Sequence, residues 1–348
     1  MVFYVSTIPL TISKFYAIIK IRKEKIMAID VSEVKRRLHA LLNDSNLVNE
    51  YIRQYGPTIE IKHIKAIKDE KMKALAVSSE SGNGNDPVFE IRLTCPVCNR
   101  ENIICYELRA KSQLISKNKF LVPRYEGASG YRTVDYSTLS VTVCPRCLFA
   151  SPDKKDWSRQ DDDMKSQLPG NVIMTLQERI GERRAILKNI PDVEGYFKRP
   201  RVLNAIIASY NLAKARAGVE AFYEQPYSYF KLGAYTLRTA KIIKDSGGDN
   251  REIFREALGY MEETFRTSNC PSEEIEMQSI YSIIALCLKL EDQKKANSYL
   301  GVFTNLYNDR INDMKDNSKL NTIIISKWND RAKQLWEDRD MPDLFKNE

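Results

Sequence analysis

Apolar residues recur along this chain with three different textures, and each change of texture marks a region. From Val31 to Gln54 the spacing is helical. Val34, Leu38, Leu41 and Leu42 share one face, and Val48, Tyr51 and Ile52 follow. Asp44-Ser45-Asn46 predicts a break that caps a second short helix, and Tyr55-Gly56-Pro57 stops the pair. The next stretch, 58–79, reads as a two-stranded hairpin. A helix is its rival, because Ile61, Ile64 and Ile67 also fit a period of three to four. The run from Ser78 to Pro87, SSESGNGNDP, has the composition of a linker.

Alternation takes over at Val88. Phe89, Ile91 and Leu93 lead into Cys95, and Leu139, Val141 and Val143 lead into Cys144, which predicts a strand before each cysteine. The intervening PRYEGASGYRT is rich in turn residues. From about Met164 to Leu344 the pattern becomes helical and stays so. Amphipathic stretches are expected at Val172–Lys188, Pro200–Gly218, Pro226–Lys244, Asn250–Thr267, Pro271–Leu290, Gln293–Asp309 and Lys319–Trp336. Prolines at 191, 200, 226 and 271 sit where helices begin or have just ended. Small residues in YFKLGAYTL (229–237), then Ala285 and Ala296, suggest helix pairs stacked in the tetratricopeptide manner, with an ordinary bundle as the alternative.

The predicted class is α+β. Residues 1–27 read as a disordered or mis-started tail, with Met27 as a second possible start and a peripheral membrane anchor as the rival. Residues 28–87 hold the N-terminal helices, the hairpin and the linker. A zinc-ribbon-like domain at 88–160 precedes a helical-repeat domain at 164–345. No segment has the length and continuity of a transmembrane span, which places the protein in the cytoplasm. The 348 residues are enough for two or three domains. The net charge of +8 is concentrated early, with 14 Lys/Arg against 8 Asp/Glu through Ser78. That surplus permits an acidic partner without demanding one.

Cysteine changes the picture more than charge does. Four of the seven cysteines form two Cys-Pro-x-Cys pairs, Cys95/Cys98 and Cys144/Cys147. In a reducing compartment such pairs read as metal ligands. Two tight turns supply four thiolates for one tetrahedral ion, and a proline in each presets the bend. A structural Zn2+ closed by all four cysteines is therefore expected, with no open position for a substrate. The rival is a redox dithiol, which needs a helix N-terminus to lower a thiol pKa. No convincing helix follows either pair. Cys105 lies in an apolar run and is expected in the core. Cys270 and Cys287 are expected as packed or partly exposed thiols, and His39 and His63 as surface or boundary residues.

TCPVC with Arg109 downstream, then PRYEG at Pro123–Gly127, then a strand into VCPRC, resembles an uncharacterised bacterial family of unknown function. The resemblance covers Arg92–Pro152, and the tail by architecture. It implies a zinc-ribbon-like head and a tetratricopeptide-like helical tail, and it implies no activity. That family tends to place glycine directly after each pair, where this chain has Asn99 and Leu148. Leucine adopts a left-handed turn poorly, so a distorted second turn and weakened metal occupancy are expected there.

No phosphate-binding glycine loop, nucleophile elbow or metalloprotease His-Glu pair is present, so a non-enzymatic role is expected. The leading reading is a scaffold whose helical groove, lined by Phe222, Tyr223, Tyr227, Tyr229 and Phe230, binds a protein partner. The alternative is single-stranded nucleic-acid binding by the ribbon. Arg100, Arg109, Lys111, Lys117, Lys119, Arg124 and Arg132 would hold the backbone, and Phe120, Tyr125 and Tyr131 would stack on bases. A dithiol redox enzyme ranks third.

Overall fold

The structure, a computed structural model, describes residues 80–159, 164–187, 190–267, 272–316 and 322–346. The expected N-terminal helices, the hairpin at 58–79, His39, His63 and Cys270 lie outside the described residues. Within them the chain is α+β, with paired short strands first and helices after.

The strands form four antiparallel pairs. β1 (Glu80–Ser81) pairs with β6 (Thr133–Val134), and β2 (Val88–Leu93) with β3 (Ile103–Leu108). β4 (Gln113–Lys117) pairs with β5 (Pro123–Gly127), and β7 (Thr142–Val143) with β8 (Ala150–Ser151). The strands entering the two cysteine turns therefore do not pair with each other. Each cysteine turn reverses the chain within a few residues, so the nearest partner is the strand that leaves the same turn. The registers Leu93↔Ile103 and Val143↔Ala150 close directly on the turns.

The stretch read as a linker is held along this β region. Beside the β1–β6 pairing, Asn85 bridges Tyr131, and the Asp86 carboxylate accepts from Arg132 at 2.9 Å and from Arg199 at 2.9 and 3.1 Å. Polar composition hid this role, because backbone pairing and ion pairs need no apolar side chains. Gly127, in the PRYEG motif, has a packing reason. A Cβ there would sit 2.4 Å from the Tyr131 carbonyl oxygen.

Nine helices follow among the described residues. They are α1 (Gly170–Glu178), α2 (Ile180–Leu187), α3 (Val193–Tyr196), α4 (Leu203–Phe222), α5 (Ser228–Asp245), α6 (Arg251–Arg266), α7 (Glu273–Lys289), α8 (Gln293–Asp316) and α9 (Ile323–Glu337). The single helix expected over Val172–Lys188 is broken at Arg179, whose ψ of 30° leaves the helical range. From α4 onward each helix packs on its sequence neighbour, and α7 also packs on α9. Gly233 of α5 leaves the space that the Met261 methyl of α6 fills, 2.7 Å from where a Cβ would stand. α7 is central. Ile280, Ile283, Ile284, Leu286 and Cys287 are all buried, and Glu273, Glu274 and Glu276 in its first turn suit the positive end of the helix dipole.

The β region and the helices share cores, and all described residues belong to one compact unit, Leu75–Glu348. Val141, Val143, Leu148 and Ala150 pack with Leu187, Phe197, Tyr210 and Leu232. Phe120 and Val122, at the tip of the β4–β5 hairpin, pack with α5, α6 and α7. Phe120 is 3% exposed, stacks on Phe345 at 5.3 Å and meets Phe254 at 4.9 Å. Asn118 builds this inserted tip by accepting from the amides of Phe120 and Val122.

Candidate metal centre

Each cysteine pair caps a β-hairpin, and the two turns have the same backbone. In the first, the Cys95 amide donates to the Arg100 carbonyl and the Asn99 amide to the Cys95 carbonyl, both at 2.9 Å. In the second, the Cys144 amide donates to the Phe149 carbonyl at 2.8 Å and the Leu148 amide to the Cys144 carbonyl at 2.9 Å. Asn99 and Leu148 are both left-handed, at φ 55° and 61°. The second turn is thus not distorted relative to the first. Leu148 accepts the backbone strain because its side chain is 3% exposed and packs in the helical core. Burial of a leucine, about 1.5–3 kcal/mol, outweighs a left-handed penalty of about 1–2 kcal/mol.

The turns bring four sulfurs together. All lie within 4.8 Å of one another, with Cys95 Sγ to Cys147 Sγ at 3.5 Å and Cys98 Sγ to Cys144 Sγ at 3.6 Å. These separations exclude a disulfide between those partners, whose sulfurs would be about 2.05 Å apart. Cys95, Cys144 and Cys147 are buried, and Cys98 is half-buried. Around them lie Leu93, Val97, Phe149, Trp157, Val172 and Leu176. Amides of Cys147 and Arg146 point at the Cys144 sulfur, and that of Phe149 at the Cys147 sulfur. Four thiolates this close need a cation between them to ionise together. Hydrogen bonding to Cys144 pushes the Cys95 and Cys147 thiols up, and the bonds Cys144 receives from Cys147 and Cys95 hold it down as the thiolate. A divalent ion would remove this conflict by taking a thiolate from each. A soft tetrahedral donor set of this kind suits zinc or iron.

Two helical side chains clamp the turns from outside. Gln177 donates to the Val97 carbonyl at 2.6 Å. Buried Arg183 donates to the Cys147 carbonyl through Nε at 3.1 Å and Nη2 at 2.9 Å, and also to the carbonyls of Leu176 and Arg179. The Arg183 guanidinium also places positive charge beside sulfurs that would be negative with a metal bound. Sequence reasoning missed both residues. A signal existed for one of them, since Arg183 falls on the same helical face as Leu176, Ile180 and Leu187. Cys105 is buried in β3 as expected, and Cys287 is buried in α7, its thiol pushed up to about 12 by burial.

A strand follows each cysteine pair, so neither pair has the helix N-terminus that activates a redox dithiol. The basic and aromatic residues between the pairs are dispersed. Arg100 pairs with Glu194 at 2.8 Å, Arg132 pairs with Asp86, and Arg109 lies over the Phe89 ring at 5.5 Å. Phe120 is in the core, and Tyr125 packs edge-on against Tyr136. Of the five aromatics expected to line a groove, Phe222, Tyr227, Tyr229 and Phe230 line one cleft of about 470 Å³ at the α4–α5 turn. Tyr223 turns away, and its hydroxyl is 2.8 Å from that of Thr175. No helix among the described residues is long and apolar enough to cross a membrane.

A family model described as "Uncharacterized protein conserved in bacteria (DUF2225)" matches residues 88–336, and the chain belongs to that family. The match begins at β2 and ends in α9, so it takes in the metal centre and the helices that clamp it. No curated protein and no solved structure matches the chain.

Proposed function

We propose that this member of the DUF2225 family is a non-enzymatic scaffold. A structural zinc ion held by Cys95, Cys98, Cys144 and Cys147 fixes its β region on the helices, and the helical part binds a protein partner. A tetrahedral zinc tetrathiolate with bonds of about 2.3 Å has sulfur–sulfur edges of about 3.8 Å. The two cross-pair separations, 3.5 and 3.6 Å, lie close to that edge. Four thiolates leave no position for a substrate, which supports a structural ion over a catalytic one.

The observation that carries the scaffold reading is Phe222. Its ring is 67% exposed at the edge of the aromatic cleft, where tyrosines supply contact area with little entropy to lose. The helix order, each packed on its sequence neighbour, supports a tetratricopeptide-like stack that presents such a cleft at a helix turn.

Metal analysis of protein purified in reducing buffer tests the first half. About one zinc per chain is expected, with four thiols becoming reactive on chelation. Iron in place of zinc, or metal unaffected by Cys144→Ser, would overturn it. A photo-crosslinking amino acid at Tyr227 tests the second half. It should capture one protein that a probe at exposed Val302 does not, and Phe222→Ala should abolish the capture. No capture at Tyr227 would sink the scaffold reading and leave the zinc site standing.

A further inference from the structure

A second cavity, of about 260 Å³, lies where the inserted tip of the β4–β5 hairpin meets α5, α6 and α7. Its walls come from both halves of the fold. Phe120, Phe230, Leu237 and Met261 give an apolar surface, and Lys117 and Arg238 bring two positive charges. No Asp or Glu is among the lining residues. Tyr125, from the PRYEG motif, with Gln278 and Ser282 adds neutral hydrogen-bonding groups.

Arg238 is the half-buried cation of this cavity wall. Buried Arg216 meets two carboxylates, donating to Asp156 at 2.5 Å and Glu220 at 2.9 Å. Arg199 meets Asp86. The polar neighbours of Arg238 are tyrosines: it hydrogen-bonds Tyr210, with Tyr125 and Tyr235 nearby. These hydroxyls favour the charged guanidinium against the cost of burial, and being neutral they leave a bound anion free to serve as its counter-ion. Lys117, exposed at the β4 end, adds a second charge of the same sign.

We propose that this cavity binds a small amphipathic anion, a carboxylate or phosphate monoester on an aromatic body. The head group meets Arg238, Lys117 and the Tyr125 hydroxyl, and the body packs on Phe120, Phe230 and Met261. A cavity of this volume has room for a ligand built on a single aromatic ring. The site shares Phe230 with the aromatic cleft and no residue with the metal centre, and Lys117, Ala234 and Arg238 line this cavity alone.

The test uses the metal-loaded full chain and calorimetric titration with phenylacetate, phenyl phosphate, 2-phenylethanol and inorganic phosphate. At least one aromatic anion should bind saturably at millimolar concentration or below. The neutral alcohol and bare phosphate should bind at least about tenfold more weakly, as should the aromatic anion to Arg238→Met. Lys117→Met, at an exposed position, should weaken binding severalfold without disturbing the fold. Ala234→Trp, which fills the cavity, should abolish binding while circular dichroism stays native. Absence of saturable binding by either aromatic anion would overturn the proposal. So would equal binding of phosphate or of the alcohol, or unchanged affinity in both Arg238→Met and Lys117→Met.

Discussion

The same substitution should have unequal consequences at the two equivalent positions that follow the cysteine pairs. Asn99 and Leu148 share the left-handed conformation, yet Asn99 is exposed and Leu148 is 3% exposed. Glycine at either position removes a strain of about 1–2 kcal/mol for leucine and less for asparagine. It adds about 0.5–1 kcal/mol of unfolded-state entropy. At Leu148 it also deletes a core side chain beside Leu187, Phe197 and Tyr210, a loss of about 2–5 kcal/mol. The central values give Leu148→Gly a net loss of about 2–3 kcal/mol, or about 3–6 °C in a unit of this size. Asn99→Gly should stay within about 0.5 kcal/mol of the parent. Thermal and urea unfolding of metal-loaded protein, followed by circular dichroism, gives both numbers. A Leu148→Gly variant as stable as the parent, or one that moves together with Asn99→Gly, would refute the argument that packing holds the second turn.

Three further outcomes are expected. Arg183→Met leaves the carbonyls of Cys147 and Leu176 without their donor, so metal transfer to a chelator should be severalfold faster, and Arg183→Lys should restore part of the difference. Asp156→Asn breaks the buried charge set in which Arg216 meets Asp156 and Glu220, and the loss should be about 3–5 kcal/mol by urea unfolding; a loss under about 1 kcal/mol would mean that Glu220 alone suffices. For Asp86, burial acts to raise the carboxyl pKa, but hydrogen bonds from Arg199 and the Val88 amide outweigh it and hold the group below its usual range. A depressed folded pKa makes its contribution full above about pH 4 and lost as pH falls through the lower folded value. The tie is solvent-accessible, so Asp86→Asn should remove about 1 kcal/mol or less at neutral pH, and the gap from the parent should close as the Asp86 carboxyl protonates in acid.

Much of the metal centre was legible because its logic is local. A Cys-Pro-x-Cys turn after an alternating strand carries its own geometry, and two such turns supply a full ligand set. The helices were legible for a similar reason. Their apolar period, prolines and breaks are local, and most bounds fell within a few residues. What failed was non-local. Phe120 sat among cations in a turn-rich insert and read as an exposed stacking residue, whereas the fold places it between Phe254 and Phe345. Residues 80–87 read as a linker because polar composition is blind to backbone pairing and to the ion pairs of Asp86.

The sequence alone determined the α+β class, the four sulfurs of the candidate site and the succession of helices, since each follows from contacts among near neighbours. Tertiary structure decided which strands pair, why leucine can occupy a left-handed turn, and that Arg183 reaches the cysteine turns. It also decided that a hairpin tip closes a charged cavity against the helices. Apart from the three local hairpins, those features depend on residues far apart in the chain, whose meeting is set by how two apolar faces share one core and by no pattern that either segment carries alone.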